Sequence, residues 1–259
     1  MRRLMKIRNE NIAFFVPYFR NKIAKSPTMN HAAPTSVRIW DLPTRLFHWL
    51  FAASVIGAIA TVKAGGLWMD WHLPFGVAAL VLLVFRLIWG FVGPRYARFS
   101  HFVTSPKQLW RYLSATQTSH TAGHNPLGAW SVIALLVVVG IQAITGLFAT
   151  DDILTQGPLN VYVSGQTASL MTTIHKWNET PLLILLGLHL LAILIYTLRG
   201  KNLVLPMITG NKSTQLLAKH TPNTRDDMIL RAWALVLILA LGTLGWWLVW
   251  LGQSAGFSF

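Results

Sequence analysis

Five long apolar segments constrain the fold of this chain more than any other feature of its sequence. They cover approximately residues 46–63, 72–92, 128–149, 180–198 and 229–251. A bilayer core about 30 Å thick needs roughly 20 apolar residues to cross it as a helix. Hydrophobic residues make up 53% of the 259 residues and charged residues only 12%, about half the charged fraction of a soluble domain. The sequence therefore predicts an all-α membrane protein with five transmembrane helices.

The basic residues predict how the chain crosses the membrane. They concentrate before the first apolar segment and in the 93–127 and 199–228 loops. The loop after the first segment offers only Lys63, and the 150–179 loop offers Lys176 against Asp151, Asp152 and Glu179. Because Lys and Arg stay on the cytoplasmic side, the N-terminus is expected in the cytoplasm and the C-terminus in the periplasm. The net charge of +14 then indicates topology and attraction to membrane lipid, with no nucleic-acid partner.

The N-terminal 36 residues form a basic cytoplasmic segment that allows two interpretations. They contain no apolar stretch long enough for the core of a signal peptide. One interpretation is a short amphipathic segment at the membrane surface. The other is that translation begins at Met29 instead of Met1.

The absence of cysteine from the chain narrows its redox chemistry. Disulfides, iron–sulfur clusters and covalently attached c-type haem all need cysteine and are excluded. Any redox or metal function must therefore use histidine, carboxylate or methionine ligands.

Four of the nine histidines lie within or at the ends of apolar segments. His48 is near the cytoplasmic end of the first segment, and His72 begins the second on the outer side. His175 lies at the outer start of the fourth segment, and His189 lies deep within it. An unpartnered ionisable side chain in a membrane is costly, so each of these is a candidate functional residue. The histidines of tails and loops are interpreted as solvated: His31, His101, His120 and His220.

The spacing of the four membrane histidines predicts two facing pairs. The fourteen residues from His175 to His189 make about four helical turns, so both share one helix face, roughly 21 Å apart along the axis. The antiparallel neighbouring helices supply one histidine at each level, His72 outside and His48 inside. Two pairs stacked across the bilayer are what two bis-histidine haems need.

Three further residues fit two haems. Ala52 and Gly76 fall four residues after His48 and His72, where small side chains leave space for a flat macrocycle. Arg86 follows His72 by fourteen residues and is expected on the same face at the depth of the inner haem. Its charge is interpreted as the partner of a haem propionate. The alternative is that Arg86 extends to the cytoplasmic headgroups.

Four stretches of the chain carry a family resemblance: VRIWDLPTRLFHWLF, FRLIWGFVGPRYARF, GHNPLGAWSV and LRGKNLVLPMITG. They closely resemble the bacterial cytochrome b561 family, which includes the cytochrome b subunits of membrane nickel–iron hydrogenases. The resemblance implies a four-helix transmembrane bundle holding two b haems over residues 37–212. Residues 213–259 would then be a linker and an extra fifth transmembrane helix. The resemblance implies that the family's haem-ligating histidines correspond to two histidine pairs in this chain: His48 with His189 for the inner haem, and His72 with His175 for the outer haem.

Coordination chemistry indicates what such haems do. Iron with two histidine ligands has no open position, so oxygen binding at the metal is disfavoured and single-electron transfer is favoured. The resemblance implies electron transport across the bacterial inner membrane between the quinone pool and a periplasmic redox partner. That partner is expected to be a c-type cytochrome or an oxidoreductase subunit.

Two alternative functions stay open. Some relatives resemble a superoxide-to-quinone oxidoreductase, in which a basic outer patch guides superoxide to the outer haem. Here the outer face offers only Lys63 and Lys176 against four acidic residues, and steering an anion needs a positive field. The other alternative is a histidine-based metal transporter. A zinc site draws its ligands to one point, whereas the four histidines are expected in two distant pairs.

The stretch GHNPLG, residues 123–128, precedes the third apolar segment. Asn125 followed by Pro126 is typical of a turn that begins a helix. One interpretation is structural, with His124 and Asn125 capping exposed backbone. The other is that His124 helps form an inner quinone site, because histidine donates hydrogen bonds and exchanges protons near neutral pH.

Overall fold

The structure is a computed structural model that describes residues 36–114, 122–151, 155–213, 217 and 221–254. The interpretations of the N-terminal segment before residue 36, including a start at Met29, concern residues outside this set. The loop histidines that also fall outside it are His31, His120 and His220.

The described residues form helices joined by short connections. In chain order the elements are β1 (Ser36–Arg38), α1 (Leu42–Ala64), a 3-10 turn (Gly66–Trp71), α2 (His72–Val92), α3 (Phe99–Phe102), α4 (Pro106–Ser114), α5 (Pro126–Gly146), a second 3-10 turn (Asn160–Tyr162), α6 (Gly165–Leu198), α7 (Val204–Thr209), β2 (Asn211–Ser213) and α8 (Met228–Ser254). Five of them, α1, α2, α5, α6 and α8, are long and apolar enough to cross a membrane. The prediction of five membrane-spanning helices is confirmed, and the chain is a multi-pass membrane protein.

Helix α6 is much longer than the apolar segment that predicts it. The hydropathy pattern indicates only residues 180–198, but the helix begins at Gly165, where the Ser164 hydroxyl accepts a hydrogen bond from the Thr167 N–H at 3.2 Å. The first turns are polar, and a search for apolar runs cannot detect a helix that extends beyond the hydrocarbon. His175 therefore lies ten residues inside the helix, and Pro181 lies within it without ending it.

Helices α1, α2, α5 and α6 share a buried core. Val55, Ala79, Val139 and Leu182, one residue from each helix, form a single cluster. Such mutual burial of apolar side chains packs the helices side by side. The four helices that carry the candidate site residues or their neighbours are therefore in direct contact.

Helix α8 packs along α2 and extends from one end of the group formed by α1, α2, α5 and α6 to the other. A Cβ added at Gly245 would lie 2.6 Å from a methyl carbon of Val81, so the absence of a side chain permits this close approach. Before its start, Asp226 bonds Arg38, which precedes α1. Near its end, Gly252 packs against Pro158 in the α5–α6 connection. Helix α8 therefore begins beside the start of α1 and ends at the opposite end of the helices.

The basic segments of the chain come together at one end of the helices, which we call the basic end. Strand β1 pairs with β2 in an antiparallel register that places Ser36 opposite Ser213. The backbone N–H of Ile39 donates to the Gly210 carbonyl at 2.8 Å. The Tyr96 hydroxyl donates to the Pro222 carbonyl at 2.8 Å and so links the 93–127 and 199–228 loops.

Candidate functional site

His72 and His175 face each other near the end opposite the basic end. Their ring centres are 6.2 Å apart and their planes are nearly perpendicular, at 89°. An imidazole nitrogen binds a transition metal at about 2 Å and lies about 1 Å from its ring centre, so two imidazoles on opposite sides of one metal ion have centres about 6 Å apart. The separation of these two rings would therefore allow both of them to bind one metal ion.

Backbone carbonyls determine which nitrogen of each ring is available. Nδ1 of His72 bonds the Ala58 carbonyl at 2.9 Å, and Nδ1 of His175 bonds the Gln142 carbonyl at 2.9 Å. Because a carbonyl only accepts, each Nδ1 carries the proton and each Nε2 keeps its lone pair. A ring that donates from one nitrogen to a carbonyl and binds a metal with the other is the usual arrangement of a metal-ligating histidine.

A cavity of about 230 Å³ adjoins this pair, with both histidines in its lining. A Cβ added at Gly76 would meet no atom within 4 Å, so this residue leaves open space beside His72. A Cβ at Gly146 would lie 3.0 Å from Cε1 of His175, so that glycine makes room for the ring. The lining therefore leaves space for a bound group beside the two imidazoles.

His48 and His189 lie closer to the basic end. They are near enough that a charge on one would repel a charge on the other. Nδ1 of His48 is buried and has no hydrogen-bond partner among the described residues. An unpaired buried nitrogen is unfavourable, so His48 is suited to a ligand that would use the ring.

Arg86 is buried near the basic end, with 3% of the residue exposed. Its guanidinium carbon lies 4.7 Å from the ring centre of Phe99 and 5.8 Å from that of Phe102. Nη1 of Arg86 is buried without a hydrogen-bond partner in the described part of the chain. A side chain that extended to the headgroups would expose its guanidinium, so the structure disfavours that alternative. Asp41 lies within electrostatic range of Arg86, and a propionate would supply a further counter-charge at the unpaired Nη1.

In the structure, the surroundings of His124 differ from those expected for a helix cap and from those expected for a proton-exchanging residue. Asn125 alone caps α5, because its side-chain oxygen accepts from the Gly128 N–H at 2.6 Å. The His124 ring packs against Trp40 and Phe102, with ring centres 4.8 and 4.6 Å away. Part of the residue reaches the surface, but its Nδ1 is buried without a partner among the described residues.

The environment of His124 opposes its protonation. Burial, followed by the nearby positive charge of Arg86, lowers the pKa of His124 to about 3. A lowered pKa keeps the imidazole neutral near pH 7, which disfavours the hypothesis that it exchanges protons there. The sequence could not indicate this, because the burying rings come from other segments of the chain.

Two further polar residues support His175 and were not singled out from the sequence. The Gln142 amide donates to Nε2 of His175 at 3.2 Å, a contact that a metal ion on this nitrogen would replace. Asn178 donates to the Gln142 side-chain oxygen at 2.8 Å and to the Val138 carbonyl at 2.9 Å. The sequence did carry a signal for this contact. Gln142 is a polar residue inside the third apolar segment, and polar side chains in a membrane helix usually have a hydrogen-bond partner there.

The described residues do not favour the two alternative functions. Lys63 forms an ion pair with Glu179, so one of the two lysines at the end opposite the basic end is already paired and is not free to attract superoxide. Among the described residues no group of three or more His, Asp or Glu side chains could hold a metal ion. A transporter site that gathers several histidines therefore has no support.

The fold and these histidine pairs define a class, the multi-pass helical membrane proteins that hold a cofactor between their helices. Comparison with known families is more specific, because the model described as prokaryotic cytochrome b561 matches residues 39–210. The chain belongs to the prokaryotic cytochrome b561 family and is a membrane b-type cytochrome.

Two relatives indicate how distant the similarity is. A protein of Azotobacter chroococcum mcd 1 called "probable Ni/Fe-hydrogenase B-type cytochrome subunit" is 25% identical over 176 residues, which cover 56% of this chain and 73% of the relative. A protein of Azotobacter vinelandii with the same description is 28% identical over 140 residues, covering 43% and 58%. No solved structure matches the chain significantly.

Proposed function

We propose that this chain is a dihaem b-type cytochrome that carries electrons across the bacterial inner membrane between the quinone pool and a periplasmic redox partner. The observation that carries the proposal is the 6.2 Å separation of the His72 and His175 rings beside a cavity between the helices. Membership of a b-type cytochrome family supports haem as the group bound there. In this proposal residues 37–212 form the haem-holding core, and residues 213–259 add a linker and a fifth helix.

Each of the two proposed haems has its own histidine pair. His72 and His175 would hold the outer haem, and His48 and His189 the inner one. When bound, a bis-histidine haem b supplies reversible one-electron transfer without an open coordination position. The carbonyls of Ala58 and Gln142 keep the outer rings in one tautomer, which would leave each Nε2 to bind the haem iron.

Arg86 is proposed to bind a propionate of the inner haem. Its buried guanidinium has an unpaired Nη1, and it shares the basic end with His48. A carboxylate beside it would balance its charge and form a charge-assisted hydrogen bond, the stronger class of such bonds. Arg86 would also make the inner haem easier to reduce, because a nearby positive charge favours the added electron.

The proposed orientation places the basic end in the cytoplasm, since Lys and Arg accumulate there. The outer histidine pair then lies on the periplasmic side, together with exposed Trp68, Trp71 and Trp177, which suit the membrane–water interface. A c-type cytochrome or an oxidoreductase subunit would exchange electrons at this side. The quinone would exchange electrons near the inner pair, and His124, which is neutral near pH 7, would not supply the proton.

Filling the space beside His72 tests the proposal with a matched control. Gly76→Leu places a side chain where a Cβ meets no protein atom, so the fold should persist while one haem is lost. Gly242→Leu is the control, because Gly242 also has open space but lies exposed on α8. Pyridine haemochrome assays should give about one haem per chain for Gly76→Leu and about two for Gly242→Leu. Equal haem content in the two variants would contradict the outer site.

A further inference from the structure

A charged cluster at the basic end is centred on Asp226, whose side chain is 3% exposed. Its oxygens accept from Nε and Nη2 of Arg231 at 3.0 and 3.1 Å, from Nη1 of Arg38, and from the Leu42 N–H at 3.1 Å. Burial opposes ionisation of Asp226, but the hydrogen bonds from Arg231, Leu42 and Arg38 outweigh it and lower its pKa below the ordinary value. Asp226 is therefore an ionised carboxylate, and both of its oxygens accept hydrogen bonds from neighbouring residues.

One carboxylate does not balance the arginines of this cluster. Arg38 and Arg231 both bond Asp226, and Arg45 interacts electrostatically with all three of these residues. Three positive charges against one negative charge leave two positive charges in surplus. Asp41 also lies within electrostatic range of Arg45, but its carboxyl is completely buried and accepts from Thr44 and Trp89. The cluster therefore attracts an anion.

An open cleft of about 560 Å³ adjoins this cluster. Its lining includes Arg38, Arg231, Asn211 and Thr224. Thr224 is only 6% exposed, and its hydroxyl is buried with no hydrogen-bond partner in the part of the chain that the structure describes. A buried hydroxyl without a partner is unfavourable. Because Thr224 lines this positively charged cleft, a rotation of its side chain would let the buried hydroxyl donate to a bound anion.

The position of the cleft indicates the source of the anion. It lies where α1 and α8 begin, and the N-terminal ends of helices favour negative charge. Both helices are membrane spans, so their ends lie at the depth of the lipid headgroups. Met228 and Ile229, the first residues of α8, are 74% and 64% exposed and suit contact with acyl chains. A molecule with an anionic head and apolar tails matches both surfaces.

We propose that this cleft binds the phosphate group of an anionic phospholipid. Arg38 and Arg231 supply the attracting charge, and Thr224 donates a hydrogen bond to a phosphate oxygen. The bound lipid would bridge the start of α1 and the start of α8, and so hold the fifth helix against the other four. The cleft is separate from the histidine pairs, so this inference does not depend on the number of haems.

Replacement of Thr224 by valine is the most selective test, because its hydroxyl bonds none of the residues that the structure describes. Thr224→Val should unfold at the same temperature as the unaltered chain, or a higher one, when lipid is absent. One control is Thr243→Val, which removes an exposed hydroxyl on α8 that bonds the Ala240 carbonyl. The other is Arg225→Gln, which removes an exposed charge paired with Asp227 next to the cleft.

Phosphatidylglycerol is titrated into the full chain in a neutral detergent while the unfolding temperature is followed. A lipid that binds the folded chain raises this temperature. Thr224→Val should weaken the apparent lipid affinity about tenfold, as expected for loss of one hydrogen bond to a charged group, and both controls should stay within about twofold. Equal affinity of Thr224→Val and the unaltered chain would overturn the proposal. Equal stabilisation by inorganic phosphate, or by phosphatidylcholine, would overturn the anionic lipid as the source.

Discussion

The substitution Arg86→Met should have opposite effects on the haem-free and haem-bound protein. Arg86 is 3% exposed, with an unpaired Nη1 and two aromatic neighbours. Without an anion, the buried charge of Arg86 is balanced only in part, by Asp41 within electrostatic range, so removing it relieves at most about 3–5 kcal/mol, and the lost cation–π contacts cost about 2 kcal/mol. Methionine fills a similar volume and keeps the contacts with Phe99 and Phe102. The haem-free variant should therefore be more stable, by up to about 1–3 kcal/mol.

In the haem-bound protein the same substitution removes the proposed partner of a propionate. A hydrogen bond to a charged group contributes about 1.5–3 kcal/mol, so the affinity for the inner haem should fall about tenfold to a hundredfold. Haem transfer to apomyoglobin measures this loss, and thermal unfolding of protein made without haem measures the gain. Arg95→Gln, which removes an exposed arginine of the same end, should change neither quantity. Destabilisation of the haem-free form by Arg86→Met would show that the protein itself balances the charge and would refute the reasoning.

Three further predictions concern topology, His124 and Asp226. A reporter fused after residue 259 should be active only in the periplasm and one in the 93–127 loop only in the cytoplasm; a cytoplasmic C-terminus would contradict five crossings. His124→Leu should leave haem reduction by a quinol analogue unchanged between about pH 5.5 and 8.5, because a pKa of about 3 keeps the ring neutral, and a pH-dependent loss of rate would count against this. The pKa of Asp226 is lowered in the fold, so its contribution to stability is complete above the unfolded value of about 3.9 and disappears as the pH falls through the folded pKa. Asp226→Asn should therefore lower the unfolding temperature at neutral pH, and the difference should shrink in acid; a constant difference would contradict the linkage.

The sequence was sufficient to predict features that depend on local pattern. The second apolar segment, 72–92, coincides with α2, because the helix is apolar apart from His72 and Arg86 and glycine follows its end. The prediction that His72 and His175 approach each other needs only helix geometry and antiparallel neighbours, and the structure brings the two rings together. Helix α6 was predicted too short, because its first turns are polar and lie beyond the apolar run.

Features built from distant segments could not be predicted from the sequence. The pKa of His124 depends on the rings of Trp40 and Phe102, which come from different connections. The cleft beside Asp226 combines residues from β1, from β2 and from the segment before α8. In both cases the chemistry depends on contacts between distant segments of the chain, and the periodicity of the sequence does not indicate such contacts. The intramembrane histidines were predictable because the membrane itself makes an isolated ionisable residue unfavourable.

The number of haems per chain tests the central claim most directly. The pyridine haemochrome assay, combined with amino-acid analysis of the same sample, should give about two b haems per unaltered chain. His175→Leu and His48→Leu should each retain about one, and their reduced spectra should differ, because each variant keeps the haem of the other pair. One haem in the unaltered chain, or loss of both haems in both variants, would contradict two separate bis-histidine sites.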